Sequence, residues 1–434
     1  MVTGNFYLQR HDKNKNPPAK RMSLDILEIG AKGDGVASVE GEELFVPYTA
    51  PGDVGIVEAR GQRGRLIELT KKGPDRVDPP CPLYGQCGGC ALQHLSSDFY
   101  KAWKSGLVTT PLAQSGFDDV RIEPAVFVEQ ASRRRVQFYV VRKKSHVSIG
   151  FHERQSHNLV DVPHCLVLDP ALQRAQEGLR TFARALPSRW QKFSMSVTSC
   201  ENGFDINLGL AGDDDFGPDE LISLTQVMKR ARIIRVSLNK HPVLSLVQPI
   251  IRVNEIAVPL PPGGFLQASV EGQRVLIDLV TSASSGHGKI ADLFAGCGTF
   301  SLPLAKNASV TAYDSDTPAI DALNAAARAG QNSGLNPVTA ASRNLFERPL
   351  VADELNQFDC VVIDPPRAGA SRQAKQLAQS NVPTIISVSC NPKSFVRDAR
   401  FLKEGGYRLT QVFPVDQFVY SSHMEMVGIF RKEG

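Results

Sequence analysis

From residue 270 onward the chain alternates short apolar runs with amphipathic helical stretches, and few folds accept that rhythm. VEGQRVLIDLVTSA reads as a helix, KIADLFAG as a strand, TFSLPLAKN as a helix and SVTAYD as a strand. TPAIDALNAAARAGQNSG, FDCVVIDP, SRQAKQLAQ, TIISVSC and PKSFVRDARFLKEGG continue the alternation, and RLTQVFPVD and EMVGIFRK close it as two strands. Strands alternating with helices of about 10–15 residues form a parallel sheet with crossover helices on both faces. No helix separates the last two strands, so one of them is expected to run antiparallel.

The chain has 434 residues, enough for two or three domains. Upstream of the α/β repeat the pattern differs. Residues 1–21 are expected to be a flexible basic arm. Residues 22–76 show short alternating runs broken by Gly, Pro and Asp, the signature of a small β-barrel. Residues 77–260 mix strands and helices, which implies a central α+β domain. Within it Leu92, Leu95, Phe99, Trp103 and Leu107 recur at helical spacing, so a helix near 95–114 is expected to pack on the C-terminal domain, 261–434. The fold class expected is therefore α/β multidomain. With 42% hydrophobic and 22% charged residues the chain is not a disordered one. It has neither an apolar stretch of membrane length nor the apolar core of a secretory signal, so a cytoplasmic place is expected. Its eight cysteines then read as reduced thiols, metal ligands or nucleophiles. A net charge of +4 permits a nucleic-acid partner without demonstrating one.

KIADLFAGCGTF sets Gly296 and Gly298 between a buried strand and a helix, where backbone amides can approach a ligand. Asp314 ends the next strand, the place from which a carboxylate accepts from ribose hydroxyls. Ser301 occupies the slot of a third glycine, which favours S-adenosylmethionine over a dinucleotide. Asn344 and Asp364 follow later strands at the same sheet edge. In Asp364-Pro365-Pro366-Arg367, arginine stands where amino-methyltransferases carry an aromatic residue, and this argues against amine methylation.

Cys390 ends a strand just before a helix, with Lys393, Arg397 and Arg367 as local cations that would lower its pKa. Cys360 reads as core and Cys297 as packing. His423 and Glu425, two residues apart, are expected on one face of the last strand. A thiolate and a carboxylate at neighbouring strand ends suit methyl transfer to carbon 5 of a pyrimidine. The thiolate adds to carbon 6 and makes carbon 5 nucleophilic; a base later removes the carbon-5 proton.

Cys81, Cys87 and Cys90 fall within ten residues of a loop, a strong metal signal. His94 would complete a zinc site. Cys165 would complete four thiolates for an iron–sulfur cluster, and spacing alone leaves both open. Residues 133–144 hold six Lys/Arg with Phe138 and Tyr139 between them. Such a stretch can grip phosphates and stack bases, or be a solvated hairpin.

Taken together, DLFAGCGTFSLPLA, DPPRAG, SCNP and HMEMV resemble the RNA uracil-5-methyltransferases. The likeness is to the bacterial ribosomal branch that carries an iron–sulfur cluster and an N-terminal TRAM domain, and it spans about residues 22–431. The resemblance implies a Rossmann-like class I methyltransferase domain, a TRAM-type OB-like barrel, Cys390 as nucleophile and Glu425 as base. It also implies Gln267, Phe294, Asp314, Asn344 and Asp364 around S-adenosylmethionine, beside the Gly296 and Gly298 turn read above, with Thr299 where that family often has Asn after the glycine turn. A [4Fe-4S] cluster is implied on Cys81, Cys87, Cys90 and Cys165. The implied partner is RNA, 23S ribosomal RNA first, with no membrane and no obligate protein partner. A transfer-RNA enzyme, or an inert RNA-binding protein on the same fold, is the alternative.

Overall fold

The structure, a computed structural model, describes residues 20–143, 146–212, 214–332 and 334–433. The expected basic arm lies outside them except for Lys20 and Arg21, which begin the first strand. The chain divides into two compact units, Met1–Pro80 with Ala91–Tyr100, and Cys81–Cys90 with Lys101–Gly434. No described helix is long and apolar enough to cross a membrane.

In the first unit six strands between Lys20 and Lys71 form one sheet. Alternation sends Leu44, Val46, Val57 and Ala59 inward against Ile26 and Ala37. Buried Asp53 fastens the turns: its carboxylate accepts from the amides of Ala50 (2.6 Å) and Gly73 (2.9 Å) and from the Arg76 guanidinium (2.6 Å).

The second unit carries two large sheets. Seven strands form the central one, in the order Leu159–Asp161, His146–His152, Arg135–Lys143, Lys192–Cys200, Gly203–Gly209, Ile233–Leu238 and His241–Ser245. Helices Pro170–Ala185 and Pro218–Arg230 cover its apolar side, where Phe138, Met195, Ile206 and Val236 meet Leu172, Leu179 and Leu224. The expected α+β mixture is what forms here.

The C-terminal sheet has nine strands. Val338–Ser342, Ser309–Asp314, Lys289–Leu293, Cys360–Ile363 and Thr384–Ser389 run parallel in that spatial order. Glu425–Lys432 then inserts antiparallel between Thr384–Ser389 and Tyr407–Asp416, as the missing crossover helix requires. In chain order the seven main strands are arranged 3-2-1-4-5-7-6. Their burial on both faces explains near-continuous apolar runs such as Cys360–Ile363.

Two features of this sheet escape sequence periodicity. Arg121–Ile122 and Val126–Phe127, two residues each, extend it beyond Tyr407–Asp416. The expected helix spans Ser97–Ala113 and packs on this sheet, but its buried face is Lys104, Val108 and Leu112. Leu92 and Leu95 precede it and belong to the first unit. Lys104 is fully buried, with its ammonium 2.8 Å from the Asp416 carboxylate. It also donates to the carbonyls of Ser421 (3.0 Å) and His423, which uses all three of its protons. The segment between the last two strands is thereby fastened to the helix.

Replacing Lys104 by Ala should leave the Asp416 carboxylate buried without its ammonium and lower stability by ~3–5 kcal/mol. Urea unfolding should show this as a lower midpoint, and Lys104→Met with Asp416→Asn should recover part of it. An unchanged midpoint in Lys104→Ala would show the pair to be dispensable.

Candidate active site

The strand order reverses between Lys289–Leu293 and Cys360–Ile363, and the crevice beyond the carboxyl ends of such strands is where open α/β sheets bind ligands. A cleft of about 630 Å³ opens there, lined by Phe294, Gly296 and Asp314 from one half and Asp364, Pro366, Arg367, Cys390 and Glu425 from the other. Gln267, Phe265, Phe346 and Phe418 complete this side, and Arg133, Arg135, Gln137 and Ser196 of the central sheet's side close it.

The glycine turn is shaped for a close approach. Phe294 and Gly296 both lie in the left-handed region, at φ 63° and 53°. For phenylalanine that conformation is strained, a strain that clusters at ligand sites. Nothing lies within 4 Å of where a Gly296 Cβ would stand, so the turn presents bare backbone to the cleft. Gly298 serves packing instead: its φ is 88°, and a Cβ would meet Leu323 at 2.4 Å. The Gly296 amide donates to Asp314 Oδ2 (2.9 Å) and the Asp316 amide to Oδ1 (2.8 Å). A carboxylate has about four acceptor sites, so Asp314 retains capacity for two hydroxyls. Phe294 meets Phe346 with ring centroids 5.3 Å apart, two flat apolar walls beside that carboxylate. These features fit a nucleoside-bearing cofactor. Asn344 lies outside the cleft lining, where its Oδ1 accepts from the Phe346 amide (3.1 Å) and shapes that wall; Thr299 also lies outside the lining.

Register brings the second half together. Ser389 pairs with Met426 across antiparallel strands, so Cys390 and Glu425, one residue further out on each, stand side by side. Asn391 caps the helix Pro392–Glu404 by accepting from the Lys393 amide (3.2 Å). Its Nδ2 and the Ser394 hydroxyl donate to the Arg367 carbonyl, at 3.0 and 3.1 Å. Asp398 accepts from the Ala370 amide (2.7 Å), and Arg397, paired with Asp398, donates to the Ala368 carbonyl (2.9 Å). The proline loop is thus held by the helix that follows the cysteine.

A chain of amides links the acids. Gln267 Nε2 donates to Asp364 (3.3 Å), and Gln417 Nε2 donates to Gln267 Oε1 (2.7 Å) and to Glu425 Oε2 (3.0 Å). Gln417 Oε1 accepts from the Ala268 amide (3.1 Å), which fixes the orientation of its side chain. Gln417 was not singled out from the sequence. The signal was present: it directly follows the buried run VFPVD, at the sheet edge where the other site residues lie.

Burial raises the Glu425 carboxyl from 4.5 to about 7, with the Gln417 amide opposing. Asp364 is held well above the usual carboxylate range by burial and by the neighbouring Glu425, Asp292 and Asp314. Asp292, under the glycine turn, reaches about 7, again through burial, and its Oδ2 accepts from the Ser301 hydroxyl (2.5 Å). The expectation of a lowered Cys390 pKa is overturned. Burial, then Glu425 and Asp364, push the thiol up to about 11, and Arg367 opposes them only in part. Arg397 is engaged by Asp398. His423 precedes the strand rather than sharing its face, lies outside the cleft lining, and sets its ring edge-on to Phe418 at 5.8 Å.

The cysteines of the loop and Cys165 are neighbours. Burial raises the Cys165 thiol, and charge on Cys87 and Cys81 would raise it further; Arg133 lies within the field of Cys90 and Cys165. The loop is pinned to the central sheet by the Gly88 amide, which donates to the His152 carbonyl (3.0 Å). The thiols are not drawn into a closed site: among the described residues no three His, Cys, Asp or Glu side chains are arranged to hold a metal. His94, the zinc alternative, is buried in the first unit, donates to the Thr49 carbonyl (3.0 Å), and is held to about 4 chiefly by burial.

The family model described as tRNA (Uracil-5-)-methyltransferase matches residues 224–433. An "Uncharacterized RNA methyltransferase" of Caulobacter vibrioides is 39% identical over 94% of this chain and 99% of its own length. The chain belongs to the RNA uracil-5-methyltransferase family. A second relative, "23S rRNA (uracil(1939)-C(5))-methyltransferase RlmD" of Vibrio vulnificus, is 28% identical over 97% of this chain and 98% of its own. Among solved structures, the Pyrococcus abyssi tRNA (uracil-54, C5)-methyltransferase with S-adenosyl-L-homocysteine shares the fold, with a TM-score of 0.71, 24% identity and 94% and 100% of the two chains covered.

Between pH 4.5 and about 7 the folded protein binds a proton at Glu425 that the unfolded chain releases. The stability this provides is full below 4.5 and is lost as pH rises through about 7. Glu425→Gln carries no such titration. The stability of the wild type relative to this variant, from denaturant unfolding, should therefore fall between pH 4.5 and about pH 7 and level off above it; a constant difference would overturn the assignment.

Proposed function

We propose that the protein methylates carbon 5 of a uridine in RNA, with Cys390 as nucleophile, Glu425 as the base and S-adenosylmethionine as methyl donor. The observation that carries this reading is the placement of Cys390 beside Glu425 in one cleft with the glycine turn and Asp364. Gln267, Phe294, Gly296 and Asp314 would hold the donor, with Gly298, Thr299 and Asn344 shaping the turn and wall around it. When bound, S-adenosylmethionine supplies an electrophilic methyl group on a sulfonium.

Cys390 releases its proton to solvent and adds as the thiolate to carbon 6 of the uracil, which turns carbon 5 into a nucleophile. Asp364 and Gln267 reach the same space and orient the ring through their polar atoms. Once carbon 5 carries the methyl group, Glu425 takes its proton and the Cys390–carbon 6 bond breaks. A base whose pKa stands near neutrality is suited to that step. The target must leave its stack to reach Cys390, so an unpaired or flipped uridine is the substrate. Ribosomal 23S RNA is the favoured target, on the strength of the Vibrio relative's name and its alignment over 97% of this chain.

The same reading assigns a TRAM-type barrel over residues 22–76, a central domain over 77–260 and the methyltransferase domain over 261–434. It also assigns a [4Fe-4S] cluster to Cys81, Cys87, Cys90 and Cys165. What supports this is donor chemistry: four neighbouring thiols, three of them on one loop, are the ligand type such a cluster takes, although they are not drawn together here into a closed site, and no step of the methyl transfer passes through it.

Three experiments test the reading. Cys390→Ala should abolish methylation while S-adenosylmethionine still binds; near-normal turnover would refute the mechanism. Glu425→Gln should accumulate a covalent, already methylated RNA adduct, visible as a protein-linked band on a denaturing gel. A slow variant that traps nothing would assign the proton to another group. Protein purified without oxygen should contain about four irons with acid-labile sulfide, lost in Cys165→Ser and retained in His94→Ala. Stoichiometric zinc without sulfide would rule the cluster out.

A further inference from the structure

The central sheet carries an exposed aromatic stack that its own fold does not need. Along Arg135–Lys143, alternation buries Phe138 completely and turns Tyr139 outward, where it remains 39% exposed. The neighbouring strand His146–His152 does the same with its last two residues. On the inner side Phe138 meets Phe151 at 5.3 Å; on the outer side Tyr139 stacks on His152, with centroids 4.0 Å apart and planes 22° from parallel. The inner pair belongs to the core. His157 adds an edge-on contact to His152 at 6.1 Å. Directly across the ladder from Tyr139 stand Gly150 on one side and Ser194 on the other. Small cross-strand partners leave the phenol ring standing above its surroundings.

This face continues the active-site cleft. Arg135 and Gln137, the two outward residues before Tyr139, both line the cleft, as does Ser196, the ladder partner of Gln137. Tyr139 lies about 7 Å further along the strand than Gln137, a reach of about two stacked nucleotides at 3.4 Å each. The face is basic: Arg135 and Lys143 share the strand, and Arg133 lines the cleft beside it. Outward-facing aromatics on a sheet flanked by cations bind single-stranded RNA through stacking and phosphate contacts.

We propose that Tyr139, stacked on His152, is a platform for a base flanking the target uridine in a single-stranded RNA segment. The proposal rests on the methylation reading above and adds to it where the neighbouring nucleotide is held. Continuity with the cleft and complementary charge favour RNA over a second protein chain as the occupant.

The test uses the full-length protein and an RNA oligonucleotide substrate, with 2-aminopurine placed one or two nucleotides from the uridine. Tyr139→Ala should raise KM for RNA about tenfold, while S-adenosylmethionine affinity, the check on folding, stays at the wild-type value. Tyr139→Phe keeps a flat ring and should retain the wild-type KM; Tyr139→Leu keeps apolar bulk and should match Ala. The 2-aminopurine fluorescence should be quenched by wild type and Phe but not by Leu or Ala. Wild-type KM and quenching in Tyr139→Ala, or Leu behaving like Phe, would overturn the platform while leaving the methylation reading intact. Absence of methylation by the wild type on any RNA would overturn both. A Tyr139→Ala protein that binds RNA normally but loses self-association would assign the face to a second copy and overturn the proposal.

Discussion

One strand register puts the chemistry together. Glu425–Lys432 is antiparallel to both its neighbours, and its pairing with Thr384–Ser389 sets Glu425 against Cys390. Because side chains alternate with period two, a slip of one residue would turn the carboxylate to the opposite face. Close packing holds the register. A Cβ at Gly428 would stand 2.4 Å from the Phe395 ring, so the helix carrying Phe395 sits directly on this strand. That helix also begins next to Cys390 and ties down the Arg367 carbonyl. Cys390, Glu425 and the proline loop are therefore positioned by one packing event, and Lys104 secures the connecting segment through Asp416 and the Ser421 carbonyl.

This arrangement gathers like charges in a buried place. Glu425, Asp364 and Asp292 are all raised, first by burial, and Glu425 and Asp364 also raise Cys390. Burial favours the protonated form of each carboxyl in this cluster, since an unpaired buried charge is costly. Gln267 and Gln417 connect the acids with amide donors that remain neutral at any pH. A lysine in place of either glutamine would pull the Asp364 and Glu425 carboxyls down and favour their ionised forms. An amide bridge keeps orientation and basicity separate. The cation that does act on Cys390 is Arg367, from the proline loop that an aromatic residue would end in an amine-methylating enzyme.

Much of this was legible in the sequence, for definite reasons. The α/β alternation is a strong period, and strand ends next to glycines or helix starts gave Gly296, Asp314, Asp364 and Cys390 as neighbours in space. Periodicity failed where a polar residue occupies a buried face. Counting apolar residues finds Leu107, which packs against the core of the sheet, but misses Lys104, the fully buried residue of the same face, whose charge is answered by Asp416, more than 300 residues away. Strands of two residues carry no pattern at all, so Arg121–Ile122 and Val126–Phe127 could not be seen. Local cations in the sequence mislead about the thiol because neither its burial nor the carboxylates that the register delivers are visible there. A basic stretch likewise gives no directions. Arg134 is buried and donates to the Gln267 carbonyl (3.1 Å) and to Gln273 (2.7 Å), and Arg142 donates to the Leu186 carbonyl (2.8 Å). Their neighbours Arg133 and Arg135 line the cleft.

The central sheet is therefore more than a spacer between functional parts. Its strand Arg135–Lys143 sends one set of residues into a core with two helices and the alternate set toward the cleft and its rim. Arg133, just before that strand, lines the cleft while lying in the field of Cys90 and Cys165. The loop that bears Cys87 is hydrogen-bonded to the strand that bears His152. The loop that carries three of the cysteines is thus tied to the backbone beneath the outward aromatic stack. The cysteine loop, the outward aromatic pair and the guanidinium at the cleft wall meet on one sheet, so a change at the loop is felt at the cleft through backbone rather than through any bond to the site.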